Sequence, residues 1–156
     1  MKKELLKGFT MVVLILVLAL VSAVASAKAQ SANKVAADVP FEFSVGYKTM
    51  PAGAYQVEVL TSAGDALMIQ SADRGRSAVR LSEATEKAKN KPHARLVFHR
   101  YGQQYFLAEV WNGMDNSGRQ LKTSQDELTL QKQLAAIPAN DPKTAYETIE
   151  VLASLR

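Results

Sequence analysis

His99, Tyr101, Tyr105 and Trp111 are the side chains in this sequence best suited to hold a ligand. They fall in two short apolar segments, 95–101 and 105–111, joined at Gly102-Gln103-Gln104. Aromatic rings beside an imidazole form the kind of stacking surface that sugars and apolar ligands use. Aromatic residues also pack the interior of small β domains, so core packing competes with binding at these positions. The four share one strand face only if Gly102, Gln103 and Gln104 all belong to the loop. With Gly102-Gln103 as a two-residue turn, Phe98 faces Leu107; with all three residues in the loop, Leu96 and Phe98 line up with Val110 and Ala108.

Catalysis finds little to work with. His93 and His99 are the only histidines, and neither a Ser nucleophile motif nor a His-x-His pair accompanies them. A general base needs a nucleophile within reach, so no catalytic residue, metal site or cofactor is assigned, and the chain is read as a non-enzyme. Glu42, Glu58 and Glu109 sit among apolar neighbours and are expected to face solvent or pair with Arg95 or Arg100 across a sheet. No two carboxylates are placed to flank a glycosidic bond. Lys87, Lys89 and Lys91, close to His93 and Arg95, read as a solvated loop balanced by Glu83 and Glu86.

The compartment is better marked than the chemistry. Lys2, Lys3 and Lys7 form a basic start, Met11 to Val21 an unbroken apolar run, and Ala25-Ser26-Ala27 a small-residue cleavage site. Together they predict a cleavable signal peptide over 1–27 and a secreted or periplasmic protein. The run is well short of the ~20 residues that span a bilayer. Cleavage falls before Lys28 or before Gln30. Residues 28–34 lack an apolar period and read as a mobile leader, and 35–156 as a single domain.

Loss of 1–27 removes three Lys and one Glu, lowering the formal charge from +4 to +2. That near balance gives no electrostatic case for nucleic acid, which requires clustered Lys and Arg on phosphates. The chain has no cysteine. Disulfides, thiolate catalysis and the acylated cysteine of a lipoprotein are therefore excluded, and apolar burial must hold the fold.

The elements that must position the four residues are short. Val35 to Phe43 alternates, with Val39, Phe41 and Phe43 on one face, and Pro40 belongs at an edge or bulge. Met50-Pro51-Ala52-Gly53 suits a type I turn and leads into 54–60, where Tyr55, Val57 and Val59 alternate with Gln56 and Glu58. Ala63-Gly64-Asp65 and Asp73-Arg74-Gly75 suit hairpin loops into 67–69 and 78–81. Large apolar groups on both faces of 95–111 predict that this hairpin is covered on both sides. Ser124-Gln125-Asp126-Glu127 is a capping box that starts a helix over 125–136, with Leu130, Leu134 and Ile137 along one stripe. Residues 146–153 suit a last strand or a short helix, and their β-branched content favours strand.

Asp38-Val39-Pro40-Phe41-Glu42-Phe43-Ser44-Val45-Gly46 with Met50-Pro51-Ala52-Gly53-Ala54-Tyr55, and Phe98-His99-Arg100-Tyr101-Gly102 with Tyr105-Phe106-Leu107-Ala108-Glu109-Val110-Trp111, resemble a group of small, uncharacterised, signal-bearing proteins of Gram-negative bacteria. The resemblance implies export and a β domain and supplies no mechanism. The Pro-Ala-Gly-x-Tyr turn is also similar to one in prealbumin-like and carbohydrate-associated β-sandwich modules. The expected fold is mainly β: an antiparallel sandwich or small incomplete barrel of six to seven strands with one C-terminal helix. The expected function is an envelope binding or interaction module whose partner is a protein, a polysaccharide or a small ligand. A small apolar-ligand carrier with a cavity between sheet and helix is the alternative, and a hydrolase the third reading.

Overall fold

The structure is a computed structural model that describes residues 34–86, 93–114, 118–136 and 146–156. The signal peptide, the leader up to Asn33, the lysines of the 87–91 loop and Ile137 lie outside the described residues. Within them the chain forms β1 (Val35–Val39), β2 (Phe43–Val45), β3 (Lys48–Met50), β4 (Gly53–Val59), β5 (Ala66–Ser71), β6 (Ser77–Thr85), β7 (Arg95–Tyr101), β8 (Gln104–Trp111), β9 (Gly118–Leu121), helix α1 (Gln125–Ala135) and β10 (Glu147–Leu155).

Eight of these strands close into an antiparallel ring in the order β8-β7-β10-β1-β4-β5-β6-β9, with β9 returning to β8. The domain is thus mainly β with one helix, as expected, but the barrel is closed, neither incomplete nor a sandwich. Closure depends on β6. Its first half pairs with β5 from Ser77 to Leu81, and its second half pairs with β9 from Ser82 to Thr85. β9 is four residues long and reads Gly-Arg-Gln-Leu, so no apolar alternation announces it.

The expected single segment 35–43 is two strands. Pro40 has no N–H to give a ladder, and pairing stops on either side of it. The β2–β3 hairpin then joins β8 through a parallel bridge at Ser44 and Phe106, while Lys48 Nζ donates to Ser77 O of β6 at 2.9 Å.

Period-2 alternation sends one set of side chains inward from each strand. Val39, Phe43, Val45, Met50, Tyr55, Val57, Leu67, Ile69, Leu96 and Phe98 are all less than 2 % exposed or close to it, and they fill the barrel. Phe43 meets Tyr55 and Phe98 edge to face at 5.0 and 5.3 Å. The Pro-Ala-Gly-x-Tyr motif is locked into this core from its own side chain. Tyr55 is buried, and its hydroxyl donates to Pro51 O at 2.7 Å across the turn. Gly53 in that turn has a φ of 152°, which side chains on Cα disfavour.

The two registers left open for the 95–111 hairpin both occur. Next to the turn Tyr101 pairs with Gln104 and Phe98 with Leu107, the two-residue-turn register; beyond it Val97 pairs with Glu109 and Leu96 with Val110. Ala108 is the extra residue, a β-bulge that bends β8 and adds twist. Gly102 supplies the positive φ of 62° that such a tight turn demands at its first central position. Residues 147–155 are a strand, with Ile149, Val151, Ala153 and Leu155 directed toward the core.

Candidate binding surface

The structure distributes the four residues over three places. His99 and Tyr101 lie on the outer face of β7, beneath α1. Trp111 is on the same outer face at the far end of the hairpin, opposite Arg95. Tyr105 is on the other face, stacked on Phe41 at 4.0 Å, with Phe41 edge-on to Phe98 at 5.2 Å. The bulge and the two-residue turn together cause this division, because Tyr105 lies on the turn side of the register shift.

A carboxylate that the sequence marks only as a helix cap organises the first place. Ser124 Oγ accepts from the Glu127 N–H at 3.2 Å, one half of the capping box. The Glu127 carboxylate turns to the barrel. Its Oε1 accepts from His99 Nδ1 at 2.7 Å and from the Tyr101 hydroxyl at 3.2 Å. Gln131, one turn further along α1, donates from Nε2 to the Tyr101 oxygen at 2.7 Å. Tyr146 packs its ring on His99 at 4.1 Å and on Tyr101 at 5.5 Å. The His99–Glu127 bond selects the ring tautomer with the proton on Nδ1.

Burial pushes the Tyr101 phenol well above the usual tyrosine range; the Gln131 N–H pulls it down, and the adjacent Glu127 carboxylate pushes it further up. Glu127 is 4 % exposed and Tyr101 also 4 %. These groups are directed at each other beneath a helix, and they fasten α1 to the barrel wall.

Trp111 occupies a second, smaller cluster. The Arg95 guanidinium lies 4.6 Å from the indole centroid, and the indole N–H donates to Glu109 at 2.9 Å. Among the three carboxylates expected on strands, Glu109 takes this bond, Glu58 of β4 pairs with Lys34 at 3.0 Å, and Glu42 is exposed just ahead of β2. Arg95 and Arg100 approach β10 carboxylates instead, Glu150 at 3.8 Å and Glu147 at 3.1 Å. The side chains of 95–111 are thus covered on both faces, by the core within and by α1 and these polar pairs without.

Open surface lies elsewhere. A groove of about 370 Å³ runs across the outside of β10, β1 and β4, floored by Ala36, Ala54 and Ala72 and edged by Asp38, Leu152 and Arg156. A second of about 260 Å³ adjoins it at the Pro51 turn, with Asp73 and Arg76 on its rim. Val79 and Leu81 stand exposed on the outer face of β6. Between sheet and helix the space bounded by Ser44, Arg80, Phe106 and Glu127 is only about 10 Å³, room for about one water. No group of three metal-ligating side chains forms among the described residues. No family model, curated protein or solved structure matches the chain.

Proposed function

We propose that this chain is an exported, non-enzymatic binding module of the cell envelope: a signal peptide over 1–27 followed by one β-barrel domain that engages a macromolecular partner through its outer surface. The observation that carries this reading is the filled barrel. A carrier for a small apolar ligand needs several hundred Å³ of enclosed space, whereas buried side chains such as Phe43, Tyr55 and Phe98 occupy the barrel and the space bounded by Ser44, Arg80, Phe106 and Glu127 holds about one water. A hydrolase needs a nucleophile in reach of its base, and His99 Nδ1 is committed to Glu127 beneath α1. The basic, apolar and small-residue segments of 1–27 support export, as does the resemblance to signal-bearing bacterial proteins. Protein or polysaccharide is the partner class that the open outer grooves favour.

Photo-crosslinking in the producing cell tests this. Crosslinkers placed singly at the exposed positions Tyr47, Val79 and Leu152 are expected to capture a macromolecule from at least one of them. A small apolar molecule copurifying with the barrel, with no adduct from any outer position, favours the carrier.

A further inference from the structure

The barrel core is built without α1. Every residue of the central apolar cluster comes from a strand or from Ala94, and none comes from 125–135. The helix contributes little apolar burial of its own: Glu127 is its one fully buried residue, while Leu128, Leu130 and Leu134 stay half-buried. Hydrogen bonds tie it to β7: the Glu127 carboxylate to His99 and Tyr101, and Gln131 to Tyr101. An eleven-residue helix is marginal in water without tertiary support. Beneath it lie Tyr101 and Phe106, both 4 % exposed and outside the central cluster.

We propose that α1 is a releasable strap, latched to the barrel by Glu127, which lifts from the outer face of β7 and β8 while the barrel stays folded. Lifting takes the helix off Tyr101 and Phe106, which pack edge to face at 5.8 Å, and parts His99 Nδ1 from Glu127. Local opening of this kind belongs to elements with few buried apolar contacts, and its free energy lies below that of global unfolding. The latch is specific. A carboxylate buried against an imidazole and a phenol has hydrogen bonds stronger than neutral ones, and removal of the acceptor strands both donors. The strap does not depend on which partner the barrel binds.

Amide hydrogen exchange on the full exported chain, read by mass spectrometry, tests the strap. In the unmodified protein the amides of 127–135 are expected to exchange at least ~10-fold faster than those of β4 and β7. Glu127→Ala is expected to speed them about 10- to 100-fold further, with the strand amides still at least ~10-fold slower than the helix, and Glu127→Gln, which keeps an acceptor, to fall between. Equal protection of helix and strands in either protein, or no acceleration of the helix in Glu127→Ala, overturns the proposal. Failure of Glu127→Ala to fold overturns it as well, because the barrel then requires α1.

Discussion

Gly118 lies so close to the Trp111 indole that a Cβ built on it falls 2.5 Å from Cδ2. The two residues are cross-strand partners in the β8–β9 pairing that closes the barrel. A ring over a strand glycine replaces the side chain that the glycine lacks, and here it also leaves no room for one. Gly118→Ala is expected to destabilise the domain by ~1–3 kcal/mol as the indole is forced from its place. Urea unfolding followed by the fluorescence of the single tryptophan measures this, and an unchanged midpoint would mean that the ring moves aside freely.

Ala108 is the extra residue that bends β8 between Leu107 and Glu109. Its deletion removes the bulge and leaves Phe98 opposite Leu107, Val97 opposite Glu109 and Leu96 opposite Val110 in one unbroken register, without the bend. The deletion variant is expected to unfold cooperatively but with stability lowered by ~1–3 kcal/mol, because the closed barrel loses that bend, whereas Ala108→Ser, which keeps the bulge, is expected to lose less; calorimetry separates the two.

Much of the fold is legible in the sequence because its strands alternate cleanly. Tyr55-Val57-Val59, the capping box at Ser124 and the double-sided 95–111 hairpin each carry a local pattern that the structure obeys. Three features escape that kind of reading. β9 is short and polar, and its place in the sheet is fixed by a distant partner, β6. The bulge satisfies two registers at once, where a pattern search permits only one. Glu127 resembles an ordinary capping residue, and nothing local reveals that its carboxylate turns away from the helix to meet His99 28 positions earlier. The aromatic cluster dispersed for the same reason: strand parity, on which the grouping of His99, Tyr101, Tyr105 and Trp111 rests, does not survive a bulge.

Alkaline titration follows from the two buried phenols. Burial raises Tyr55 as well as Tyr101 above the usual tyrosine value. A phenol whose pKa is higher folded than unfolded stabilises the fold at neutral pH, and that stability is lost as pH rises from about 10, where the unfolded chain releases its protons first. Absorbance at the tyrosinate band is therefore expected to show Tyr55 and Tyr101 ionising only with unfolding. Ionisation of Tyr55 and Tyr101 near pH 10 in the folded protein contradicts this.

The His99 and Glu127 side chains should be energetically coupled. His99→Ala leaves the buried carboxylate with the Tyr101 hydroxyl as its remaining partner on β7, at an expected cost of ~1–3 kcal/mol. Combined with Glu127→Ala, the loss is expected to fall short of the sum of the two single losses. Additive losses in a denaturant double-mutant cycle would show that the 2.7 Å contact carries no stabilisation.

Native mass spectrometry of the protein recovered from the envelope of the cell that makes it tests the central claim most directly. The expected species is a chain beginning at Lys28 or Gln30, carrying a macromolecular partner and no small ligand. A chain that retains Met1, or a processed barrel holding a stoichiometric small apolar molecule, contradicts an exported module that binds through its outer surface.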